Sequence, residues 1–471
     1  DVLKMKETFE KKGIKIKSDV DLIREIWIED RPPIPTDKVF IHETTFTGLT
    51  ARQKLEQVLN EMQKSEVDYY VVSALDSIAW VLNVRGNDVP YVPVVISYLL
   101  VSKDSVIWFV DTAKLTDEVR EYLRQNNIEV RNYDDIFATL ADIPADKKVL
   151  IDERKNSFAI YSAVKNAKVV NKDDIIVNLK AVKNEVEIEN IKKVHIKDGV
   201  AMVNFLYWFD TNIGKRKITE LDVVEKLREY RLMQEGCLGP SFDTIAGYNE
   251  NAAMMHYIPT EENHAVIGPK GILLIDSGGQ YLGGTTDITR TIVVNEVDEE
   301  QKRDFTLVLK ANIAMITTVF LKGSTGKTLD VIARRYLWEH HMNYKCGSGH
   351  GIGYCLSVHE GPHGFGVDVP LKPGMLLTIE PGVYKKGRYG IRTENTVVVV
   401  EDAFDEDAGQ FYRFELLTYC PIDIRAIDVS LLDEKEINWL NEYHRKVYEV
   451  LSPYLGKEQK DWLNAMTQPI G

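Results

Sequence analysis

The stretch from Gly271 to Val294, GILLIDSGGQYLGGTTDITRTIVV, constrains this chain more than any other. An apolar run ends in Asp276, a glycine-rich turn follows, and a Thr-rich, β-branched run carries Asp287. Runs of this kind bounded by glycine clusters read as strands. Two strands joined by a short turn bring the two acids side by side. Like charges held that close are unfavourable without a cation between them, and a metal pair answers that need.

Three later segments have the same character. Gly347-Ser-Gly-His350-Gly-Ile-Gly353 wraps a histidine in glycines, which lets backbone fold tightly around the side chain or approach a ligand. Met375 to Ile379 is an apolar strand that runs into Glu380 before a Pro-Gly turn. Tyr389-Gly-Ile-Arg392-Thr-Glu394 leads into a β-branched run, and strand periodicity puts Arg392 and Glu394 on one face. Taken singly, an acid at a strand end is an ordinary solvated residue. Together, four acids lie beside apolar runs and one histidine sits among glycines. Burying four carboxylates without cations costs more than a domain's whole stability margin. Two divalent ions balance four carboxylates. An oxygen-rich set with one imidazole suits Mn, Co, Fe or Zn better than a thiolate-type site does.

The remaining sequence frames this constellation. A chain of 471 residues exceeds one ordinary core, so two or more domains are expected. The net charge of -14 disfavours nucleic acid, whose phosphates need clustered Lys and Arg. No apolar run reaches the ~18 residues of a membrane span, and no secretory signal pattern is visible. The four cysteines, at 237, 346, 355 and 420, form no C-x-x-C pair. They read as free thiols, mostly small buried hydrophobes, in a reducing compartment, and cytoplasmic is the expected location.

In chain order, residues 1–47 read as a charged, irregular connector with one short helix around Asp19 to Trp27. The start on Asp1 rather than Met reads as a fragment or a processed form. Residues 48–178 read as an α/β domain. Its expected helices are Ala51 to Lys64, capped by Thr50, then Ser73 to Leu82, Leu115 to Gln125 and Tyr133 to Leu140. Its expected strands are Asp68 to Ser73, Val92 to Val101, Ser105 to Val110 and Val149 to Ile151. Residues 179–471 read as a second domain. It opens on a long helix running to Phe209, in which His195 and Lys197 are solvated. Further helices are expected at Thr219 to Met233, Gln301 to Thr318, Thr328 to Met342 and Asp433 to Leu451. Trp80 and Trp208 read as core, and His340-His341 as surface. Arg85 and Asp88 border either the site or a subunit contact.

With the ligand candidates in order, the sequence resembles the pita-bread metallopeptidases, and within them the long, three-domain aminopeptidase P family. The resemblance rests on Asp276, Asp287, His350, Glu380 and Glu394 in sequence, on Ala-Met-Met-His256-Tyr, on Val-His359-Glu-Gly-Pro nine residues after His350, and on Gly-Ile-Arg392-Thr-Glu394-Asn. Ser73 to Pro90, Asn438 to His444 and Thr467-Gln-Pro-Ile add to it, so it spans nearly everything from Thr50 on. It departs in that residues 1–47 resemble only the end of a further N-terminal domain, and in Cys346, where some shorter relatives carry histidine.

The resemblance implies an α/β chain in which a creatinase-type α/β domain precedes a pita-bread catalytic domain. It implies two divalent metal ions, Mn first with Zn or Co as alternatives. Asp287 and Glu394 would bridge the ions, Asp276 would complete one, and His350 with Glu380 the other. A hydroxide between the ions would attack the peptide. Glu380 would pass the proton, and His359 and His256 would hydrogen-bond the scissile carbonyl. Arg392 would orient a ligand carboxylate. Tyr384 and His256 would wall the proline pocket. The implied reaction removes the N-terminal residue from peptides with proline second, in a homodimer acting away from nucleic acid and membrane. His363 stays open between site and packing. The alternatives are a prolidase acting on Xaa-Pro dipeptides and a non-enzymatic binding protein on the same fold. A two-metal phosphohydrolase is disfavoured by the lack of basic residues near the acids.

Overall fold

Thr50 opens its helix as its side chain leads one to expect. In the computed structural model, which describes residues 2–17, 20 and 22–471, the helix spans Ala51–Lys64. Thr50 and Gln53 cap it reciprocally, each side chain taking the other's backbone N–H. The same box starts the helices Glu185–Asn212, Glu220–Leu232, Glu299–Ile316, Gly326–Trp338 and Glu434–Leu451. Each box satisfies two of the N–H groups that a helix start leaves without partners. The chain divides into two units, Asp1–Lys180 and Ala181–Gly471.

In the first unit a six-stranded sheet runs in the order Ile128–Arg131, Val106–Val110, Ser97–Ser102, Tyr69–Val72, Lys148–Ile151, Lys168–Asn171. The core lies on its apolar residues, among them Val71, Leu100, Phe109, Val149 and Ile151, with Ile136 and Leu140 from a covering helix. Several expectations are corrected here. The first residues are not irregular: Val2–Glu10 is helical, although none of it is buried. The short connector helix is Leu22–Ile26; Asp19, where it was expected to begin, lies outside the described residues. The strand expected from Val92 starts only at Ser97, after the Val89–Val92 bridge and Pro93. Arg85 and Asp88 are buried inside this unit. Arg85 donates to the carbonyls of Ala79 and Val84, and Lys114 pairs with Asp88 at 2.6 Å.

The second unit carries three sheets and a hairpin around a shared core that includes Val203, Val308, Leu309, Ile391, Leu440 and Val447. In one sheet Gly271–Ser277 lies between Ile245–Tyr248 and Ile288–Val294, all antiparallel. Asp276 faces Thr289 across the ladder, so Asp287 falls just outside it. The connection between the two acids is itself folded. Gly279–Tyr281 turns back on Gly284–Thr285 and pairs with Cys237–Pro240. Gly278 must be glycine there, because a Cβ would stand 2.0 Å from the Thr286 carbonyl oxygen.

The six-stranded sheet of this second unit orders Val319–Leu321, Gly409–Leu416, Asn395–Asp405, Leu376–Ile379, His350–Gly351 and Glu360–Gly364. Gly382–Lys385 and Tyr389–Arg392 form a separate hairpin. His195 is not solvated: it is buried, with Nδ1 2.9 Å from the Ile191 carbonyl. The aromatic residues of Glu434–Leu451 face inward. Tyr443 is buried, and Trp439 and Tyr448 pack against the core. Among the described residues no helix is long and apolar enough to cross a membrane.

Candidate metal centre

Strand ends and the residues just beyond them deliver the candidate ligands. Asp276 is the sixth residue of Gly271–Ser277, Asp287 immediately precedes Ile288–Val294, and His350 opens a two-residue strand. Glu380 directly follows Leu376–Ile379, and Glu394 immediately precedes Asn395–Asp405. Ligand atoms of Asp287, His350 and Glu394 lie within 4.8 Å of one another. His350 Nε2 stands 3.4 Å from Asp287 Oδ2 and 3.5 Å from Glu380 Oε1. Asp276 stands outside the tightest group. Arg392 donates to its Oδ2, while its Oδ1 is buried with no hydrogen-bond partner.

The acids are held in place from behind. Thr378 Oγ1 donates to Glu380 Oε1 at 3.1 Å and accepts the His350 backbone N–H at 3.0 Å. Thr289 Oγ1 donates to Glu394 Oε2 at 2.7 Å and accepts Arg392 Nε at 3.0 Å. Asn312 Nδ2 donates to the carbonyls of Ile379 and Thr393, the residues that precede two of the acids. The buried Arg290 donates to the carbonyls of Thr289 and Glu394 and to Asn395 Oδ1. Apart from Arg392, none of these partners stood out in the sequence. Threonines in strands are ordinary, and contacts made only in the fold mark these two: Thr378 meets His350, 28 residues back, and Thr289 meets Glu394, 105 residues on.

Electrostatics give the group its chemistry. Burial, with the Asp276 and Glu380 charges adding to it, pushes the Asp287 carboxyl well above the usual range. Burial and the Asp287 and Glu380 charges do the same to Glu394. Burial raises Glu380 too, against the opposing pull of His350 and Arg392. His350 Nδ1 lies 3.0 Å from the Gly351 carbonyl. A proton on Nδ1 satisfies that contact and leaves the Nε2 lone pair facing Asp287 and Glu380.

Charge-repelling acids, a carboxylate oxygen without a partner and an imidazole lone pair aimed among them fit a divalent cation site. The oxygen-rich donor set with one imidazole does not select one metal.

The other expected site residues sort themselves. The His359 ring lies tilted against that of His350, with ring centroids 3.9 Å apart. The protein packed around part of the His359 ring, with His350 and then His256 beside it, lowers its pKa to about 4 although the residue reaches solvent. His256 and His359 are both exposed. Arg392 Nη1 donates to the Tyr384 hydroxyl at 2.6 Å. His363, left open by the sequence, is buried with Nε2 2.8 Å from the Leu376 carbonyl, a packing position. Cys355 and Cys420 are buried, Cys237 and Cys346 only partly, and none of the four is in a disulfide.

Known proteins resemble the chain along its length. Residues 30–187 match the creatinase/prolidase N-terminal domain, 189–401 the metallopeptidase family M24, and 410–470 the C-terminal region of peptidase M24. A probable Xaa-Pro aminopeptidase P of Sordaria macrospora is 40% identical over 97% of this chain and 78% of its own length. Aminopeptidase P2 of Arabidopsis thaliana is 38% identical over 96% of this chain and 69% of its own. The X-prolyl aminopeptidase of Caenorhabditis elegans, described as a cytosolic enzyme with a di-nuclear active site, superposes with a TM-score of 0.93 at 32% identity. That match covers 99% of this chain and 78% of the other. A prolidase from Pyrococcus furiosus, at 23% identity and a TM-score of 0.58, shares the fold.

Proposed function

The chain belongs to the Xaa-Pro aminopeptidases of metallopeptidase family M24 and is a metal-dependent peptidase, and from that premise we propose that it releases the N-terminal residue from peptides with proline at the second position. The observation that carries this reading is the convergence of Asp287, His350 and Glu394 ligand atoms within 4.8 Å, with Glu380 3.5 Å from the same imidazole. Asp276, Asp287, His350, Glu380 and Glu394 would hold two divalent ions, manganese in this reading. Bound there, the ions would polarise the scissile carbonyl and make hydroxide available near neutral pH.

The protein's own residues do the rest. Glu380, its carboxyl raised by burial, takes the proton from the attacking water and hands it to the leaving proline nitrogen. His359, held neutral at physiological pH, donates a hydrogen bond from its ring N–H to the oxygen that gains charge, and His256 joins it. Arg392, bonded to Asp276 and Tyr384, fixes the Asp276 carboxylate and the tyrosine ring that walls the proline. The proline nitrogen carries no N–H, so the pocket selects by ring shape.

The reading extends to a connector at 1–47, a middle domain at 48–178 and a catalytic domain at 179–471. It also extends to a homodimer, on the resemblance alone, and to the cytoplasm, on the reading of the cysteines as free thiols. The test compares Arg-Pro-Pro with the dipeptide Gly-Pro. Arginine release from the tripeptide supports the proposal, and hydrolysis of the dipeptide alone would replace it with a prolidase.

A further inference from the structure

Glu220 opens the helix Glu220–Leu232 and is 0% exposed. A carboxylate buried so fully is costly unless hydrogen bonds replace its water. Here donors surround it. It accepts the Tyr248 backbone N–H at 2.6 Å, Asn251 Nδ2 at 3.0 Å, the Tyr257 hydroxyl at 2.8 Å and the Ala265 backbone N–H at 2.7 Å. Its own N–H returns a bond to the Ala265 carbonyl at 3.1 Å. Every one of these groups comes from the segment 248–265, in whose middle lies His256. The helix start adds its own favourable field.

Tyr257 transmits the hold. Its ring is 4% exposed, while the preceding His256 is exposed. Burial and the Glu220 charge raise the Tyr257 pKa, so its hydroxyl stays a donor. Asn251 Nδ2 also lies 3.1 Å from that hydroxyl. From the other side the loop meets the hairpin that carries Tyr384 and Arg392. A Cβ on Gly390 would stand 1.8 Å from the Ala252 carbonyl oxygen, so the two backbones touch. The loop is clamped between the Glu220 carboxylate and one wall of the site, and His256 projects from it.

We propose that Glu220 is a positioning residue that aims His256 at the substrate through Tyr257 and the loop it gathers. The inference rests on the substrate role read for His256 above. It assigns catalytic weight to a residue that touches neither metal ligands nor peptide, and that no motif marks. Misplacing a catalytic group by about 1 Å costs on the order of 10²-fold in rate, so small loop movements suffice.

A double-mutant cycle on the metal-loaded 471-residue chain tests it, with kcat and KM for Arg-Pro-Pro, metal content and thermal unfolding measured for each variant. Glu220→Gln should lower kcat about 10- to 100-fold while metal content holds and KM changes far less. In the His256→Ala background the same substitution should lower kcat no further, because residues that act as a unit are non-additive. Tyr257→Phe, which keeps the volume and removes one donor, should show the same pattern more weakly and carries the cycle if Glu220→Gln does not fold. Multiplying losses in the double variant would overturn the inference. Wild-type kcat in both Glu220→Gln and Tyr257→Phe, beside an impaired His256→Ala, would overturn it alone. Wild-type kcat in His256→Ala would overturn the role of His256 and this inference with it.

Discussion

At the scale of single residues, the site depends on side chains that never meet the substrate. Thr378 is the clearest case: one hydroxyl serves both Glu380 Oε1 and the His350 N–H. Partners of this kind set the orientation of metal ligands, and losing one costs roughly 10- to 100-fold in metal affinity or activity. Thr378→Val, which keeps the shape and removes the hydroxyl, should weaken metal binding by about 10-fold, read by titration of the metal-free protein. Unchanged affinity would leave Thr378 a mere packing residue. The ligands themselves were legible because each stands beside glycine or proline, or at the end of an apolar run. Thr378, Thr289, Asn312 and Glu220 were not. Asn312 and Glu220 have no candidate ligand near them in sequence, Thr378 and Thr289 pass as ordinary strand threonines beside Glu380 and Asp287, and the contacts that give the four their function form only in the fold. His195 shows the reverse error: its helix looked solvated where it lies against the core.

Elements with their own stop and start signals were the ones the sequence disclosed. Thr50, read as a cap, marked the start of Ala51–Lys64, and the helices expected from Thr219 and Asp433 start one residue later, at Glu220 and Glu434. The outer strands Ile128–Arg131 and Lys168–Asn171 escaped, since their residues are partly exposed and polar and show no apolar run. The late helix Lys457–Met466, capped by a glycine without a side-chain bond, gave no start signal either. The helix Glu434–Leu451 carries a pH-dependent part of the stability. His444 on it is buried, and its Nε2 accepts the Ile422 N–H at 3.1 Å. Burial and the Arg290 charge lower its pKa from 6.5 to about 4. Below pH 6.5 the unfolded chain takes up a proton that the folded chain refuses until about pH 4. Stability is therefore lost as pH falls through that window, by roughly 3 kcal/mol for this group. Urea unfolding at pH 7 and pH 4.5 should show a steeper loss in the wild type than in His444→Gln, which keeps an acceptor but does not titrate. Equal slopes would contradict the assignment.

For the molecule as a whole, two units accompany one concentrated cluster of charge in the second. The opposed requirements of that cluster explain why its members could be picked out from the order of residues alone. Four acids cannot share a buried site without cations, so their spacing along the chain already implied their meeting. What remained hidden was the support: the folded turn between Asp276 and Asp287, the buried Arg290 behind Glu394, and the loop under His256. Peptide cleavage, on this reading, depends on metal held by the acids and His350. Arginine release from Arg-Pro-Pro by metal-free protein titrated with Mn²⁺, for the wild type beside Glu380→Ala, puts that dependence to the test. Activity should be absent without metal, should recover on adding it, and should stay absent in the variant at any metal concentration. Full activity after chelation, or in Glu380→Ala, would contradict it.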